Sequence, residues 1–133
     1  MAYIISLLMM LLEPSTALVV NEINNLRSEY SQPALVVDER LVRSAVNKCH
    51  HMQEHEYWAH SGGDKDWPEF VREQGVHTDL GENLAKNHPN KNLVNAWYES
   101  PAHKDLMLGD YSRVGIGQCD GPVGSLTVKH LSK

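Results

Sequence analysis

The sequence predicts one α+β domain, and the order of its apolar patterns carries this prediction. Apolar residues with helical spacing come first along the chain, and segments typical of antiparallel strands come mostly later. This order favours separate helical and sheet layers over alternating β-α-β units. A chain of 133 residues has room for one hydrophobic core, and two independent cores would be hard to build.

Two amphipathic helices are predicted in the first part of the chain. The first covers residues 17–30, and its apolar face consists of Val19, Ile23, Leu26 and Tyr30. Asp38 is predicted to be the N-cap of the second helix. The core stripe of that second helix consists of Leu41, Ala45, Cys49 and Met52. Both helices should therefore cover one sheet with their apolar faces.

The remaining elements are shorter. Asp66 caps a third helix that Gly75 ends, a strand follows at residues 81–86, and a fourth helix covers residues 90–99. Ser100 and Pro101 have the residue types of a new N-cap and first helical position. Residues 114–119 and 126–131 are predicted to form a hairpin that turns at residues 120–122. The last part of the chain should therefore supply most of the sheet.

Composition and charge exclude some classes of function. The chain is 41% apolar and 22% charged, which is ordinary for a globular protein. Its net charge of -5 argues against a general nucleic-acid binder, because phosphate neutralisation needs a basic face.

The N-terminal segment has features of an export signal. Residues 2–12 form an almost uninterrupted apolar run, which is too short to span a bilayer as a helix. Small residues follow at positions 15–17, at the spacing that a signal peptidase prefers. We predict that residues 1–17 form a signal peptide or an apolar N-terminal segment, and that residues 18–133 form the single domain. An apolar extension that packs on the domain is the alternative.

The two cysteines, Cys49 and Cys119, are compatible with one disulfide in an exported protein. A buried free thiol at Cys49 fits the pattern equally well, because Cys49 lies on the apolar stripe of the second helix. The sequence leaves both states open.

Five separated blocks of the chain resemble the CAP superfamily of cysteine-rich secretory, antigen 5 and pathogenesis-related proteins, in its bacterial branch. They occur in the family's order and extend over about residues 20–131. The blocks are Ile23–Arg27 with Pro33–Leu35, Trp58–Ser61, Gly81–Leu84, Trp97–His103 and Val114–Gly117.

This resemblance implies an α-β-α sandwich with a three-stranded antiparallel sheet between helices. It also implies a central cavity in which two histidines and two acidic residues converge. His60, Glu82 and His103 coincide with the family motif, and Glu99 is the candidate for the second acid. Animal members place that acid one residue later, where this chain has Ser100. A shift of one residue turns a helical side chain by about 100°, so an acid at position 99 and one at position 100 would point in different directions.

A divalent metal ion such as zinc suits this set, so His60, Glu82, His103 and Glu99 are the predicted metal ligands. A hydrogen-bond network that only holds the fold together explains the same residues.

His51 and His55 are spaced i, i+4 and could bind a metal together. A solvated polar face is the favoured interpretation, because the chain has no His-Glu-x-x-His motif. No pattern supports a role for the remaining histidines, His50, His77, His88 and His130.

The leading functional hypothesis is a secreted, non-enzymatic CAP module that binds a ligand in or near the His/Glu cavity. The ligand would be a lipid or other small hydrophobic molecule, a glycan or wall fragment, or a protein partner. We expect a monomer in an extracellular, periplasmic or cell-envelope location, without a transmembrane span and without nucleic acid.

The first alternative is a metal-dependent hydrolase or peptidase with Glu82 or Glu99 as general base. The second is a structural protein of an envelope. A Ser-His-acid hydrolase built on Ser61 or Ser100 is disfavoured, because the chain has no Gly-x-Ser-x-Gly elbow.

Overall fold

The computed structural model describes residues 14–133 as a layered arrangement of five helices and four strands. The helices are α1 (Pro14–Glu29), α2 (Glu39–Glu54), α3 (Trp67–Arg72), α4 (Asn90–Tyr98) and α5 (Pro101–Met107). The strands are β1 (Val36–Val37), β2 (Leu80–Lys86), β3 (Arg113–Gly121) and β4 (Gly124–Ser132). Most of the predicted segment 1–17 lies outside the described residues, and its role stays a prediction.

The strands form one sheet in the order β1-β3-β4-β2. The three long strands β2, β4 and β3 are antiparallel, whereas β1 pairs with β3 in parallel. The α+β class is therefore confirmed, but a purely antiparallel sheet of three strands was wrong. The fourth strand is only two residues long, and so short a segment has no alternation that a sequence pattern could reveal.

Helices cover both faces of the sheet. The predicted stripe of α2 is confirmed as buried, and its last three members pack on Leu84, Leu126 and Val128. Leu41, at the start of the helix, packs on Val71 and Val76 instead. On the opposite face, α1 and α4 pack against β3 and β4 through Ile23, Leu93, Trp97, Ile116 and Leu131. Because side chains alternate along a strand, neighbouring residues of β2 and β4 face different helical layers.

The α2 helix lies unusually close to β3. An added Cβ at Gly115 would come within 2.1 Å of the Leu41 backbone, and one at Gly117 within 2.5 Å of the Val46 backbone nitrogen. These two glycines therefore permit direct contact between helix and sheet.

A disulfide joins Cys49 of α2 to Cys119 of β3, which decides between the two states that the sequence left open. The Cα atoms are 6.1 Å apart, within the usual range for a bridged pair. This bond fixes the second half of α2 to the sheet near the hairpin.

The predicted helix start at Asp38 is confirmed, since its side chain accepts a hydrogen bond from the Arg40 backbone N–H. Asp66 and Ser100 also occupy N-cap positions, but neither side chain makes a capping hydrogen bond. Within residues 14–133, no helix combines the length and apolar character needed to cross a membrane.

Candidate functional site

Glu82 lies at the centre of the site. It is in β2 on the α2 side of the sheet, and its side chain is 0% exposed. Its Oε1 lies 2.8 Å from Nδ1 of His60, and its Oε2 lies 2.7 Å from Nε2 of His130. Both carboxylate oxygens are thus engaged by an imidazole.

His130 extends this chain of hydrogen bonds to α2. It is fully buried, and its Nδ1 lies 2.6 Å from the Ser44 hydroxyl oxygen. Burial lowers the pKa of His130 despite the opposing effect of Glu82, so the ring is neutral near pH 7. A neutral imidazole has one N–H. With Glu82 ionised, Nε2–H donates to Glu82 and Nδ1 accepts from the Ser44 hydroxyl. That hydroxyl also lies 3.0 Å from the Leu41 carbonyl, which competes for the same proton.

Glu82 remains ionised in this environment. Burial raises the pKa of Glu82, but hydrogen bonds from His130 and His60, together with the positive charge of Lys48, outweigh it and lower the pKa below its usual value of 4.5. The carboxylate is therefore a buried anion whose hydrogen-bonding partners hold it in place.

The loop that carries His60 is fastened to α2 by Lys48. The Lys48 ammonium donates to the backbone carbonyls of Ala59 and His60, and it lies 3.3 Å from the Tyr57 hydroxyl. Burial lowers the pKa of Lys48, and the charge of Glu82 opposes this effect. Held in this way, the His60 side chain stays 54% exposed while its Nδ1 faces Glu82.

His103 reaches the same region from α5. Pro101 at the start of that helix places His103 in the first turn. Burial lowers the pKa of His103, and the nearby charges of Lys129 and His60 lower it further. Its imidazole is therefore neutral near pH 7.

Glu99 stands apart from the other three candidates. It is exposed at the C-cap of α4, and within the described part of the chain no hydrogen bond or ion pair joins it to His60, Glu82 or His103. In the same part of the chain, a different acid–histidine group has ligand atoms that all lie within 4.8 Å of one another. Its members are His51, His55 and Asp64. Metal binding by the predicted four residues stays a prediction.

His130 and Ser44 were not found by sequence reasoning. The available signal was a histidine on the strand face that it shares with Leu126 and Val128, because a polar ring buried among apolar residues needs a partner. Together Ser44, His130 and Glu82 form a serine–histidine–acid chain, but Ser44 is fully buried in α2 and has no access to a substrate. Neither Ser61 nor Ser100, the serines considered from the sequence, belongs to this chain.

Comparison with known families decides the identity of the fold. Residues 20–128 match the cysteine-rich secretory protein family, CAP. The chain belongs to the CAP family. Its matched region includes Ser44, His60, Glu82 and His103, so most of the site lies within the shared domain.

Similar proteins come from several bacteria. The uncharacterized protein YkwD of Bacillus subtilis (strain 168) is 28% identical over 103 residues, which cover 74% of this CAP chain and 40% of that relative. This chain therefore matches well under half the length of YkwD.

Solved structures show the same fold. An outer surface protein from Borrelia burgdorferi has a TM-score of 0.81 at 21% identity, with 90% of this chain and 92% of that chain covered. An extracellular protein containing an SCP domain from Bacillus anthracis str. Ames has a TM-score of 0.80 at 19% identity, with 88% and 39% covered. At these identities the likeness establishes the fold alone.

Proposed function

We propose that this CAP domain is an extracellular, non-enzymatic binding module for a polar ligand such as a glycan or wall fragment. The ligand would contact the surface around His60 and His103. The observation that carries the proposal is the state of Glu82, whose two oxygens are both engaged and whose side chain is fully buried.

A general base must reach the proton that it removes, directly or through one water molecule. Glu82 accepts from two imidazoles and lies beneath His60, so its carboxylate is poorly placed to activate a water molecule. Its geometry suits a positioning residue, since it holds the exposed His60 ring by Nδ1 and leaves Nε2 facing outward. This arrangement supports binding over hydrolysis.

The neighbouring surface favours a polar, ring-shaped ligand. Trp58 lies two residues before His60 in the sequence and is 40% exposed, so its indole ring is accessible for stacking. An apolar hollow between α1, β1 and α2 measures ≈ 110 Å³, well below the roughly 300–1,000 Å³ of pockets that enclose drug-sized ligands. That hollow is too small to enclose a sterol or an acyl chain.

A divalent metal ion fits the donors of this surface only in part. His60 Nε2 and the neutral His103 ring are suitable ligands, and Glu82 supplies the carboxylate that typically orients a metal-bound imidazole. A zinc ion held there would offer a positive charge to the oxygen atoms of the ligand. Glu99 is not expected to contribute.

The test uses the purified chain and soluble muropeptides, followed by isothermal titration calorimetry. We expect saturable binding that Trp58→Ala and His103→Gln weaken at least about tenfold, or 1.4 kcal/mol. Leu18→Ala, which also shortens an exposed apolar side chain but lies on α1, is the matched control and should bind normally. Mass spectrometry should recover the muropeptides intact.

Two results would refute the proposal. One is turnover of the muropeptides that Glu82→Gln abolishes in a folded protein, since this would establish a hydrolase. The other is the absence of muropeptide binding together with saturable binding to lipid vesicles.

A further inference from the structure

A second histidine cluster lies at the C-terminal end of α2. His51 lies in the last turn of α2 and His55 is the C-cap of that helix, and Asp64 approaches them from the loop between α2 and α3. One ligand atom from each of the three residues lies within 4.8 Å of the other two. The helix and the loop thus bring together a donor set of two imidazoles and one carboxylate.

The spacing of these atoms suits a bound ion. Nε2 of His51 lies 3.2 Å from Oδ1 of Asp64. Two ligands about 2.0–2.2 Å from a tetrahedral zinc ion are roughly 3.3–3.5 Å apart, so this pair is already close to the required separation. The ring centroids of His51 and His55 are 4.1 Å apart, which places the second imidazole beside the first.

Tyr57 orients the His51 ring. Its hydroxyl lies 2.7 Å from Nδ1 of His51 and also accepts a hydrogen bond from Lys48. Burial and the negative charges of Glu82 and Asp64 raise the pKa of Tyr57 to about 12, so the phenol stays protonated. Without a metal ion, the Tyr57 hydroxyl can donate to Nδ1 of His51 while Nε2–H donates to the Asp64 carboxylate. In the other neutral tautomer, Nδ1–H donates to Tyr57 and the Nε2 lone pair is free to bind a metal ion. Such an outer partner is typical of metal-bound histidines.

Gly63 allows the loop to approach so closely. An added Cβ at this position would lie 2.9 Å from Cε1 of His51, and the residue has a positive φ of 63°. Gly63 therefore removes both a steric and a backbone obstacle to placing Asp64 over the two imidazoles.

A simple ion pair between protonated His51 and Asp64 explains less of this geometry. Asp64 is 84% exposed, and an ion pair with so exposed a carboxylate is weak. It also gives no role to His55, whose ring contacts His51 but has no hydrogen-bond partner recorded among residues 14–133. A shared cation would engage all three side chains.

We propose that His51, His55 and Asp64 bind a divalent transition-metal ion, with zinc as the ion to test. Three protein ligands leave one tetrahedral position for water or for a group from a partner. Asp64 follows His60 by four residues in the same loop, so the ion would tie the His60 loop to α2. The proposal does not depend on the muropeptide-binding function.

Cobalt(II) serves as the spectroscopic probe, and the full chain carries His103→Gln to remove the ligand that α5 contributes to the other surface. We expect one equivalent of cobalt to give the intense visible absorption of a tetrahedral complex, and zinc to displace it. His55→Gln and Asp64→Asn should weaken cobalt binding at least about tenfold. His50→Gln is the matched control, because His50 is an exposed neighbour on the same helix outside the cluster.

Equal cobalt binding by the His55→Gln and His50→Gln proteins would overturn the proposal, as would the absence of a tetrahedral spectrum. Anomalous diffraction from zinc-soaked crystals gives an independent readout. Density at His51 and His55 supports the proposal, whereas density only at His60 and His103 in the unmutated protein refutes it. Circular dichroism of each variant establishes that the fold is retained.

Discussion

His130 and Glu82 lie directly opposite each other on neighbouring antiparallel strands, with Nε2 and Oε2 2.7 Å apart. Both side chains are fully buried, so the carboxylate exchanges its hydration for two imidazoles. Through His60, the same carboxylate connects the interior of the sheet to the exposed surface. The buried pair therefore determines how the outer histidine is oriented.

Replacing Glu82 by Gln should destabilise the protein by about 2–4 kcal/mol, because a charge-assisted network is broken inside the fold. Urea denaturation monitored by fluorescence measures the change. Glu99→Gln is the matched control, since Glu99 is exposed and unconnected to the network, and it should change stability by less than about 0.5 kcal/mol. Equal effects of the two substitutions would contradict the assigned role of Glu82.

Lys129 should make the protein more stable at mildly alkaline pH. Its ammonium lies 4.2 Å from the centre of the Trp97 ring, and within the described residues it has no hydrogen-bond partner. Burial and the charge of Arg27 lower the pKa of Lys129 from 10.5 to about 7. Between pH 7 and pH 10 the unfolded chain thus holds a proton that the folded chain has lost, so stability rises with pH.

The expected rise from pH 7 to pH 9 is on the order of 1–2 kcal/mol. Lys129→Met keeps the length and apolar stem of the side chain but does not titrate, so it should be more stable at pH 7 and should lose this rise. Urea unfolding of both proteins at pH 7, 8 and 9 tests the difference. Parallel pH profiles for the two proteins would show that Lys129 is not the cause.

Removing the disulfide should weaken the fold considerably. Cys49 and Cys119 are separated by 70 residues, and closing a loop of that length in the unfolded chain corresponds to about 4 kcal/mol. We expect the Cys49→Ala, Cys119→Ala double variant to unfold at lower urea concentration, and reduction of the native protein to have a similar effect. Unchanged stability after complete reduction would contradict this expectation.

Gly115→Ala tests the close approach between α2 and β3. The added methyl group would lie 2.1 Å from the backbone carbon of Leu41, so the helix would have to move away from the sheet. We expect a loss of about 3 kcal/mol or more, or failure to fold. Gly75→Ala is the comparison: it has open space around the Cβ position, so only its positive φ of 87° causes strain and the loss should be smaller.

Local sequence determined the secondary structure well. The Asp38 cap and the stripe of α2 depend on residues within a few turns of one another, so periodicity and capping chemistry reveal them. The family motifs located His60, Glu82 and His103, and the structure joins His60 to Glu82 by a hydrogen bond. These features depend on short-range order or on a motif, both of which a single sequence displays.

Tertiary structure alone decided the rest. Glu82 and His130 are 48 residues apart in the sequence, and they meet only because β2 and β4 pair in one particular register. A shift of that register by one residue would turn one of the two side chains to the other face of the sheet. In the same way, Asp64 reaches His51 because the loop after α2 folds back over that helix. Pairing of this kind depends on the free energy of the whole fold, and no local pattern of residues encodes it.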